Sequence, residues 1–351
     1  MLYNKAIVQK DLSDIVADSH ISFEELRGKT VLVTGAMGMI AYYFTCTLMY
    51  LNQYSDMHIK VIALVRNGDR AREGFKGFLE SRYFQLIIQD VCETIDYEGR
   101  IDYIFHAAGG ASPKMIKNDP LGIIKANVEG TFNILELAKK RGTIRVVYPS
   151  TREVYGKVEN ASWITEGMMG VTDPLENRSC YPESKRMAEQ IFKSYYISQG
   201  INSTLLRIAH VYGPGMDIDH DGRVMSDFIS DIVNERDIVL KSDGSAERAF
   251  CYLSDAVRAI FLTMLKDTGF EVYNIANETE PMKIRDVAKI LVDMRREKGL
   301  KVVYQIENDT SNYCSFQRVG LDTAKLEALG WKPFVTLHEG LQKTVDSFIN
   351  F

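Results

Sequence analysis

Short, β-branched apolar runs alternate along the chain with longer segments whose apolar positions recur at helical spacing. Thr30–Thr34 reads TVLVT, and comparable runs follow at Val61–Val65, Gln85–Ile88, Tyr103–His106, Val146–Tyr148 and Thr204–Ile208. Continuous apolar runs of this length suit strands buried on both faces, as in a parallel sheet. The intervening segments predict helices. One runs from the Gly35-Ala36-Met37-Gly38 turn to Leu51, and another from Tyr181-Pro182 to about Gln199. A third, Leu121–Arg141, has Asp119 as N-cap, Pro120 at the first helical position and Gly142 just past its end. This alternation predicts βαβ units, and therefore an α/β fold with a doubly wound parallel (Rossmann) sheet.

The pattern weakens after Gly213-Pro214-Gly215. Residues 213–250 are mixed in character, with one helix-like segment near Val224–Glu235, and residues 281–351 predict two more helices and a turn at Gly330-Trp331-Lys332-Pro333. These two blocks are expected to form a smaller interleaved lobe. Residues 1–27 are a polar, weakly amphipathic extension, expected to be a helix lying on the surface.

Composition removes several function classes. Of 351 residues, 46% are hydrophobic and 25% charged, which excludes wholesale disorder. A formal net charge of −5 offers no basic footprint for nucleic acid. No run of 18 apolar residues predicts a membrane span, and the N-terminus lacks the basic-then-apolar order of a signal peptide. Cys46, Cys92, Cys180, Cys251 and Cys314 form no CxxC pair, so reduced thiols in a cytoplasmic protein are expected. The six histidines (His20, His58, His106, His210, His220 and His338) show no metal spacing, and no metal is expected. Asp217, Asp219, His220 and Asp221 read as a solvated loop. Met168-Met169 and Tyr42-Tyr43-Phe44 read as packing residues.

Candidate chemistry begins at the glycine-rich turn. Val33-Thr34-Gly35-Ala36-Met37-Gly38-Met39-Ile40-Ala41 lies between a predicted strand and a predicted helix, the context that a dinucleotide site needs. Gly35 permits the tight turn, and Gly38 lets the backbone approach a pyrophosphate at the helix N-terminus. Residues 28–212, with part of 251–280 returning, are accordingly read as the dinucleotide-binding domain, and 213–250 with 281–351 as the substrate-binding lobe. The second strand ends at Arg66-Asn67 without the acid that would hold the ribose of NAD. Arg66 suits the 2′-phosphate of NADP; alternatively it is a solvated strand end, with Asn67 or Asp69 on the ribose. Asp90 is placed to meet the adenine edge; alternatively it is an exposed loop acid.

The reacting centre is expected further along. Ser150-Thr151 ends a strand, and thirty residues on Tyr181 and Lys185 stand four apart on one helix face. A phenol of ordinary pKa near 10 is a weak base at neutral pH. A neighbouring Lys185 cation is expected to lower it toward what proton abstraction from a sugar hydroxyl requires, with Thr151 or Ser150 bonding the same hydroxyl.

With these motifs in order, the chain resembles the extended short-chain dehydrogenase/reductases of the NAD-dependent epimerase/dehydratase family, which act on nucleotide sugars. The likeness covers nearly all of residues 28–351. It rests on VTGAMGMIA (33–41), His106-Ala107-Ala108-Gly109, Asn127 with Gly130-Thr131, PSTREVYG (149–156), YPESK (181–185), Arg207 with Val211-Tyr212-Gly213-Pro214, and Leu329-Gly330-Trp331-Lys332-Pro333. Ala111-Ser112-Pro113, Arg178-Ser179-Cys180-Tyr181, Arg223-Val224 and Arg248-Ala249-Phe250 are most similar to the UDP-glucuronate decarboxylase (UDP-xylose synthase) branch.

The resemblance implies Thr151, Glu153, Tyr181 and Lys185 as catalytic residues. For the cofactor it implies Gly35, Met37, Gly38, Met39, Ile40, Arg66, Asp90, Val91, Ala107, Ala108, Gly109, Asn127, Ser150, His210 and Val211, besides Tyr181 and Lys185. For a nucleotide sugar, expected to be UDP-linked, it implies Ser112, Pro113, Arg178, Arg223 and Arg248. NAD is the expected cofactor, with NADP the alternative that Arg66 raises. A homodimer through helices 120–141 and 185–199 is expected. Arg152 stands where the group's 4,6-dehydratases carry the Asp of an Asp-Glu pair, which argues against that reaction, and Glu153 argues against a simple 4-epimerase. The leading expectation is transient oxidation at sugar C4 with decarboxylation of UDP-glucuronate to UDP-xylose. A 4-epimerase or 4,6-dehydratase-like enzyme, an NADP-dependent keto-sugar reductase and a non-catalytic dinucleotide sensor are the alternatives. Glu153 has its own alternative, pairing with Arg152 or Arg178 to shape the loop.

Overall fold

The computed structural model describes residues 1–219, 221–266, 268–306 and 318–349. His220 and Cys314 lie outside the described residues. The first half of the chain forms α1 (Ala6–Val16), β1 (Thr30–Thr34), α2 (Met39–Ser55), β2 (Lys60–Val65), α3 (Gly68–Gly74), β3 (Phe84–Ile88), β4 (Tyr103–His106), α4 (Pro113–Asn118), α5 (Pro120–Arg141), β5 (Arg145–Thr151) and β6 (Trp163–Ile164). There follow α6 (Cys180–Gln199), β7 (Ser203–Ile208), β8 (Val211–Tyr212), α7 (Val224–Val233), β9 (Ile238–Leu240), β10 (Glu247–Arg248), β11 (Cys251–Tyr252), α8 (Leu253–Lys266) and β12 (Phe270–Ile275). The last stretch adds β13 (Met282–Lys283), α9 (Ile284–Asp293), β14 (Val302–Tyr304), β15 (Gly320–Leu321), α10 (Ala324–Glu327) and α11 (Leu337–Ile349).

Every apolar run read from the sequence is a strand of one seven-stranded sheet, ordered β3-β2-β1-β4-β5-β7-β12 and parallel throughout. From β1 the chain winds outward to β2 and β3, then crosses back to β4 and winds the other way. The strand order therefore reverses between β1 and β4, and a crevice at that point, outside the carboxyl ends, is where such sheets bind ligands. Helices cover both faces. On one, α2 and α8 pack with Tyr43, Phe44 and Phe261; on the other, α5 and α6 pack with Ile134, Leu135, Ala188 and Phe192. Another apolar cluster joins α7, α9 and α11 through Phe228, Ile229, Leu291, Leu341 and Val345.

α5 starts as its sequence signals: the Asp119 carboxylate accepts from the Gly122 amide at 2.9 Å, Pro120 follows, and Gly142 ends the helix at φ +63°.

Two expectations about packing are corrected. The N-terminal helix does not lie loosely on the surface. Val8, Leu12 and Ile15 form a single stripe at helical spacing, and all three are fully buried in the cluster that holds α2 and α8. The polar appearance of this segment misleads because Asp11 is buried with partners of its own. Its carboxylate accepts from Tyr43 on α2 and Tyr252 on β11, both at 2.7 Å, and from Lys343 on α11 at 3.1 Å. Met168 and Met169 are exposed rather than packed, whereas Tyr42, Tyr43 and Phe44 are buried.

Candidate active site

The first βα turn is shaped by contact with the strand across the crevice. Gly35 has φ +60°, and a Cβ there would stand 2.8 Å from the Ala107 carbonyl oxygen and from Ala108 Cα and N. Only glycine satisfies both demands. The Gly38 amide donates to the Gly35 oxygen at 2.8 Å, and α2 then begins with no side chain capping its first amides. Those amides converge on one point with the positive end of the helix dipole, a donor set that fits a pyrophosphate. Met37 leans away, its Sδ and Cε lying against Gly74 of α3, while Met39 and Ile40 pack on the core.

At the tip of β2, Arg66 is exposed and makes only a loose pair with Asp90, at 3.9 Å. Asp90 is fastened by the Cys92 amide at 2.9 Å, which holds its carboxyl below the usual range; burial opposes this and Arg66 assists. Asn67 caps α3 through the Arg70 amide at 3.0 Å, so its oxygen is engaged. Val91 is buried against Gly130 of α5.

β4 contributes His106, which is fully buried. Its Nδ1 lies 2.9 Å from the Thr34 hydroxyl, and that same hydroxyl accepts from the Ala108 amide at 3.1 Å. Burial, with the Lys185 charge in support, pulls His106 down to about 3, so it is a neutral strut tying the ends of β1 and β4 together. Asn127 of α5, also fully buried, donates to Ser184 at 3.0 Å and accepts from Tyr148 at 3.3 Å, joining α5 to α6 and β5.

Tyr181 lies in the first turn of α6. Its ring is buried against Ile116 and Ile123. Burial and then the Glu153 charge push the phenol up to about 12, while a hydrogen bond with Thr151 and the charges of Arg223 and Arg178 pull it back. Four residues drawn from three separate stretches of chain therefore act on one hydroxyl. Glu153 accepts from Arg178 at 2.6 Å, the loop-shaping pair foreseen as its alternative. Arg223 donates to Asp221 at 3.0 Å. Asp221 is buried and also accepts from Ser226, so this carboxylate is not part of a solvated loop. Next to it, Gly222 faces Pro113, and Ser112 caps α4 through the Met115 amide.

Two groups point elsewhere than their sequence positions suggest. The Ser150 hydroxyl donates to Glu189 at 2.6 Å, leaving Thr151 alone of the pair at the phenol. Successive strand residues face opposite sides of the sheet, and Ser150 faces α6. Lys185 donates to the Pro149 carbonyl at 2.9 Å and stands 4.2 Å over the Tyr148 ring. Burial pulls its ammonium down to about 7, with Glu189 opposing. The Tyr181 phenol stands above its ordinary value, and the expected net lowering is not seen in this arrangement.

Glu189 is the residue that sequence reading overlooks. It pairs with Arg207 at 2.6 Å, both nearly buried, while holding Ser150. Its signal was its place four residues after Lys185, on the same helix face. At the far side of the site, His210 has φ +48° and its ring lies tilted against that of Phe250. Arg152 Nη1 lies 3.3 Å from its Nε2. Burial, then the charges of Arg152 and Arg248, pull His210 down to about 3. Val211 pairs in register with Cys251. Among the described residues no group of three or more His, Cys, Asp or Glu is arranged to hold a metal ion, and no helix is long and apolar enough to cross a membrane.

A model of the NAD dependent epimerase/dehydratase family matches residues 31–276. The chain is 34% identical over 318 residues to UDP-glucuronic acid decarboxylase 6 of Arabidopsis thaliana, spanning 91% of this chain and 88% of that one. It is 32% identical over 322 residues to UDP-glucuronic acid decarboxylase 1 of Xenopus tropicalis, spanning 91% and 72%. Among solved structures, UDP-glucose 4-epimerase of Thermotoga maritima with UDP-glucose superposes with a TM-score of 0.77 at 25% identity, covering 91% of this chain and 98% of that one. The dTDP-glucose 4,6-dehydratase DesIV of Streptomyces venezuelae, with NAD bound, gives 0.75 at 26% identity, covering 91% and 96%.

Proposed function

The chain belongs to the NAD-dependent epimerase/dehydratase family, and from that premise we propose that it decarboxylates UDP-glucuronate to UDP-xylose by transient oxidation at sugar C4. The observation that carries this reading is the buried Tyr181 phenol, hydrogen-bonded with Thr151 and under the charges of Glu153, Arg223 and Arg178. A buried phenol under the charges of one carboxylate and two guanidiniums suits a polar, anionic sugar whose 4-OH must be deprotonated.

Residues fit to hold NAD are the amides after Gly35 and Gly38 for the pyrophosphate, Asp90 and Val91 at the adenosine side, and Ala107–Gly109, Asn127, Tyr181 and Lys185 toward the nicotinamide. When bound, NAD supplies reversible hydride acceptance at C4. Tyr181 takes the 4-OH proton and later returns it, with Thr151 holding the same oxygen in line. Once C4 is a ketone, the C6 carboxylate is β to it and its loss as CO2 becomes accessible. Glu153, held by Arg178, orients the ring or a water that protonates C5 afterwards. Arg223 and Arg248, with Ser112 and Pro113, hold the nucleotide diphosphate, where guanidinium forks bond phosphate oxygens in pairs. Residues 213–250 and 281–351 act as the substrate lobe. Leu121, Ile124 and Phe132 of α5 and Met187 and Ile197 of α6 are exposed apolar side chains, which suit burial in a homodimer.

Purified protein supplied with NAD and UDP-glucuronate should release CO2 and yield UDP-xylose. Recovery of UDP-galacturonate would make it a 4-epimerase, and an unchanged sugar with cofactor bound would sink the decarboxylase reading. Tyr181→Phe should abolish turnover while NAD binding persists.

A further inference from the structure

Lys185 and Glu189 stand one turn apart on the same face of α6, and both are buried. They fasten to consecutive residues of β5. Lys185 donates to the Pro149 carbonyl oxygen at 2.9 Å, and the Ser150 hydroxyl donates to Glu189 Oε1 at 2.6 Å. Arg207 completes the arrangement from β7, where it pairs in register with Ser150. Its Nη2 donates to Glu189 Oε2 at 2.6 Å and its Nε to Oε1 at 3.1 Å, while its Nη1 is taken by the Glu166 carbonyl oxygen at 2.9 Å. Ser150 and Arg207 therefore pin the carboxylate from two adjacent strands, one helical turn from the ammonium.

The ammonium depends on that neighbour. Burial pulls it down to about 7, and the Glu189 charge is what opposes. The other elements packed around it supply no compensating anion. From β4 comes His106, which is neutral, and from β5 the ring of Tyr148, 4.2 Å beneath the ammonium. From α5 comes Asn127, whose amide bonds Ser184. On α6 itself the Tyr181 phenol is uncharged, and in the turn after β5 Glu153 is engaged by Arg178. The Arg207 guanidinium of β7 is spent on Glu189.

We propose that Glu189 is a positioning residue for the proton transfer: pinned by Ser150 and Arg207, it keeps the Lys185 amine protonated beside Tyr181. A fixed opposite charge favours the charged form of its neighbour. A protonated Lys185, four residues from Tyr181 on one helix face, favours the phenolate that accepts the sugar proton, and a neutral amine does not. Glu189 touches neither sugar nor cofactor in this role; it acts through Lys185.

The role in turnover rests on the proposed chemistry, but the charge on Lys185 can be read without any substrate. NAD-loaded protein carrying 13C-labelled lysine would be titrated by NMR as wild type, Glu189→Gln and Glu189→Asp, with Lys185→Met identifying the signal. Glu189→Gln keeps an acceptor for Ser150 and removes the charge. Its Lys185 midpoint should fall by about 1 pH unit, a roughly tenfold loss of protonated amine above the midpoint. Glu189→Asp retains the charge and should stay nearer wild type. With UDP-glucuronate, kcat of Glu189→Gln should fall roughly tenfold at about pH 8, and its ratio to wild type should recover as the pH is lowered. A midpoint that does not move, or a loss of turnover equal at every pH, would overturn the proposal. If Glu189→Gln does not fold, shown by loss of NAD binding, Glu189→Gln combined with Arg207→Met decides, since removing both partners of a buried pair is tolerated better than removing one. A lowered midpoint there supports the assignment and an unmoved one refutes it. A wild type that leaves UDP-glucuronate unchanged would fail the decarboxylase reading, and the titration would still decide whether Glu189 holds the charge.

Discussion

The Lys185 ammonium donates to the Pro149 carbonyl oxygen at 2.9 Å, fastening the second turn of α6 to β5 near its end. This cation is deeply buried, and burial pulls it from 10.5 down to about 7. Between those values the unfolded chain keeps a proton that the folded chain has released, so this group's contribution to stability rises with pH across that window. Lys185→Met removes the dependence. Relative to wild type, the mutant should be at its most favourable at pH 7 and below, and the difference should move in favour of wild type toward about pH 10. Melting temperatures of both proteins across that range test it, and a constant difference would mean that the ammonium titrates normally in the fold.

Gly35 and Gly142 provide a matched pair. Both have left-handed φ, +60° and +63°, yet a Cβ at Gly142 meets open space while one at Gly35 meets the Ala107-Ala108 backbone at 2.8 Å. Gly142→Ala should cost about 1 kcal/mol from backbone conformation alone. Gly35→Ala should cost about 2–3 kcal/mol or more, because the backbone opposite must move, and NAD affinity should fall with it. Denaturant titrations of both variants, with NAD binding measured alongside, decide whether the contact matters beyond the dihedral.

Glu153→Gln takes away the charge that holds Arg178 and that pushes the Tyr181 phenol upward. Oxidation at C4 should survive, since Tyr181 and Thr151 remain. The later carbon chemistry should slow by roughly 10²-fold or more, as loss of a positioned acid-base group does. Mass spectrometry of the nucleotide products should then reveal a 4-keto sugar. Wild-type turnover with no such product would confine Glu153 to its pairing with Arg178.

Asp11 ties three elements to α1 through Tyr43, Tyr252 and Lys343. Asp11→Ala leaves these donors without their buried acceptor and should cost about 3 kcal/mol. Asp11→Asn, which keeps an acceptor oxygen, should cost less. Chemical denaturation orders the two; an alanine variant as stable as wild type would show that α1 is held by its apolar stripe alone.

Strand and helix positions, the α5 caps and the turn at Gly35 are legible because their signals are local. Apolar runs, a capping carboxylate three residues ahead of its amide, and a glycine between strand and helix each act over a few residues of chain. Five of the seven sheet strands differ from the apolar runs by no more than a residue at either end, and β5 extends farther, through Pro149 to Thr151. Tyr181 was likewise legible beside Ser150-Thr151, with the choice between the two hydroxyls left open, since the motifs fall where the alternation puts a helix start and a strand end.

Other features depend on chain segments that meet only when the sheet closes. Arg178 reaches Glu153 across 25 residues, Asp11 reaches Lys343 across 332, and Arg152 reaches His210 across 58. No periodicity encodes such pairings, because a side chain's partner is set by which neighbour packing leaves within hydrogen-bonding distance. The same reason turns Ser150 toward Glu189 and Lys185 toward Pro149, and leaves the Tyr181 phenol up near 12. Residue type and spacing name the chemistry of the site. Burial and the cross-chain partners it imposes set the charge each group carries.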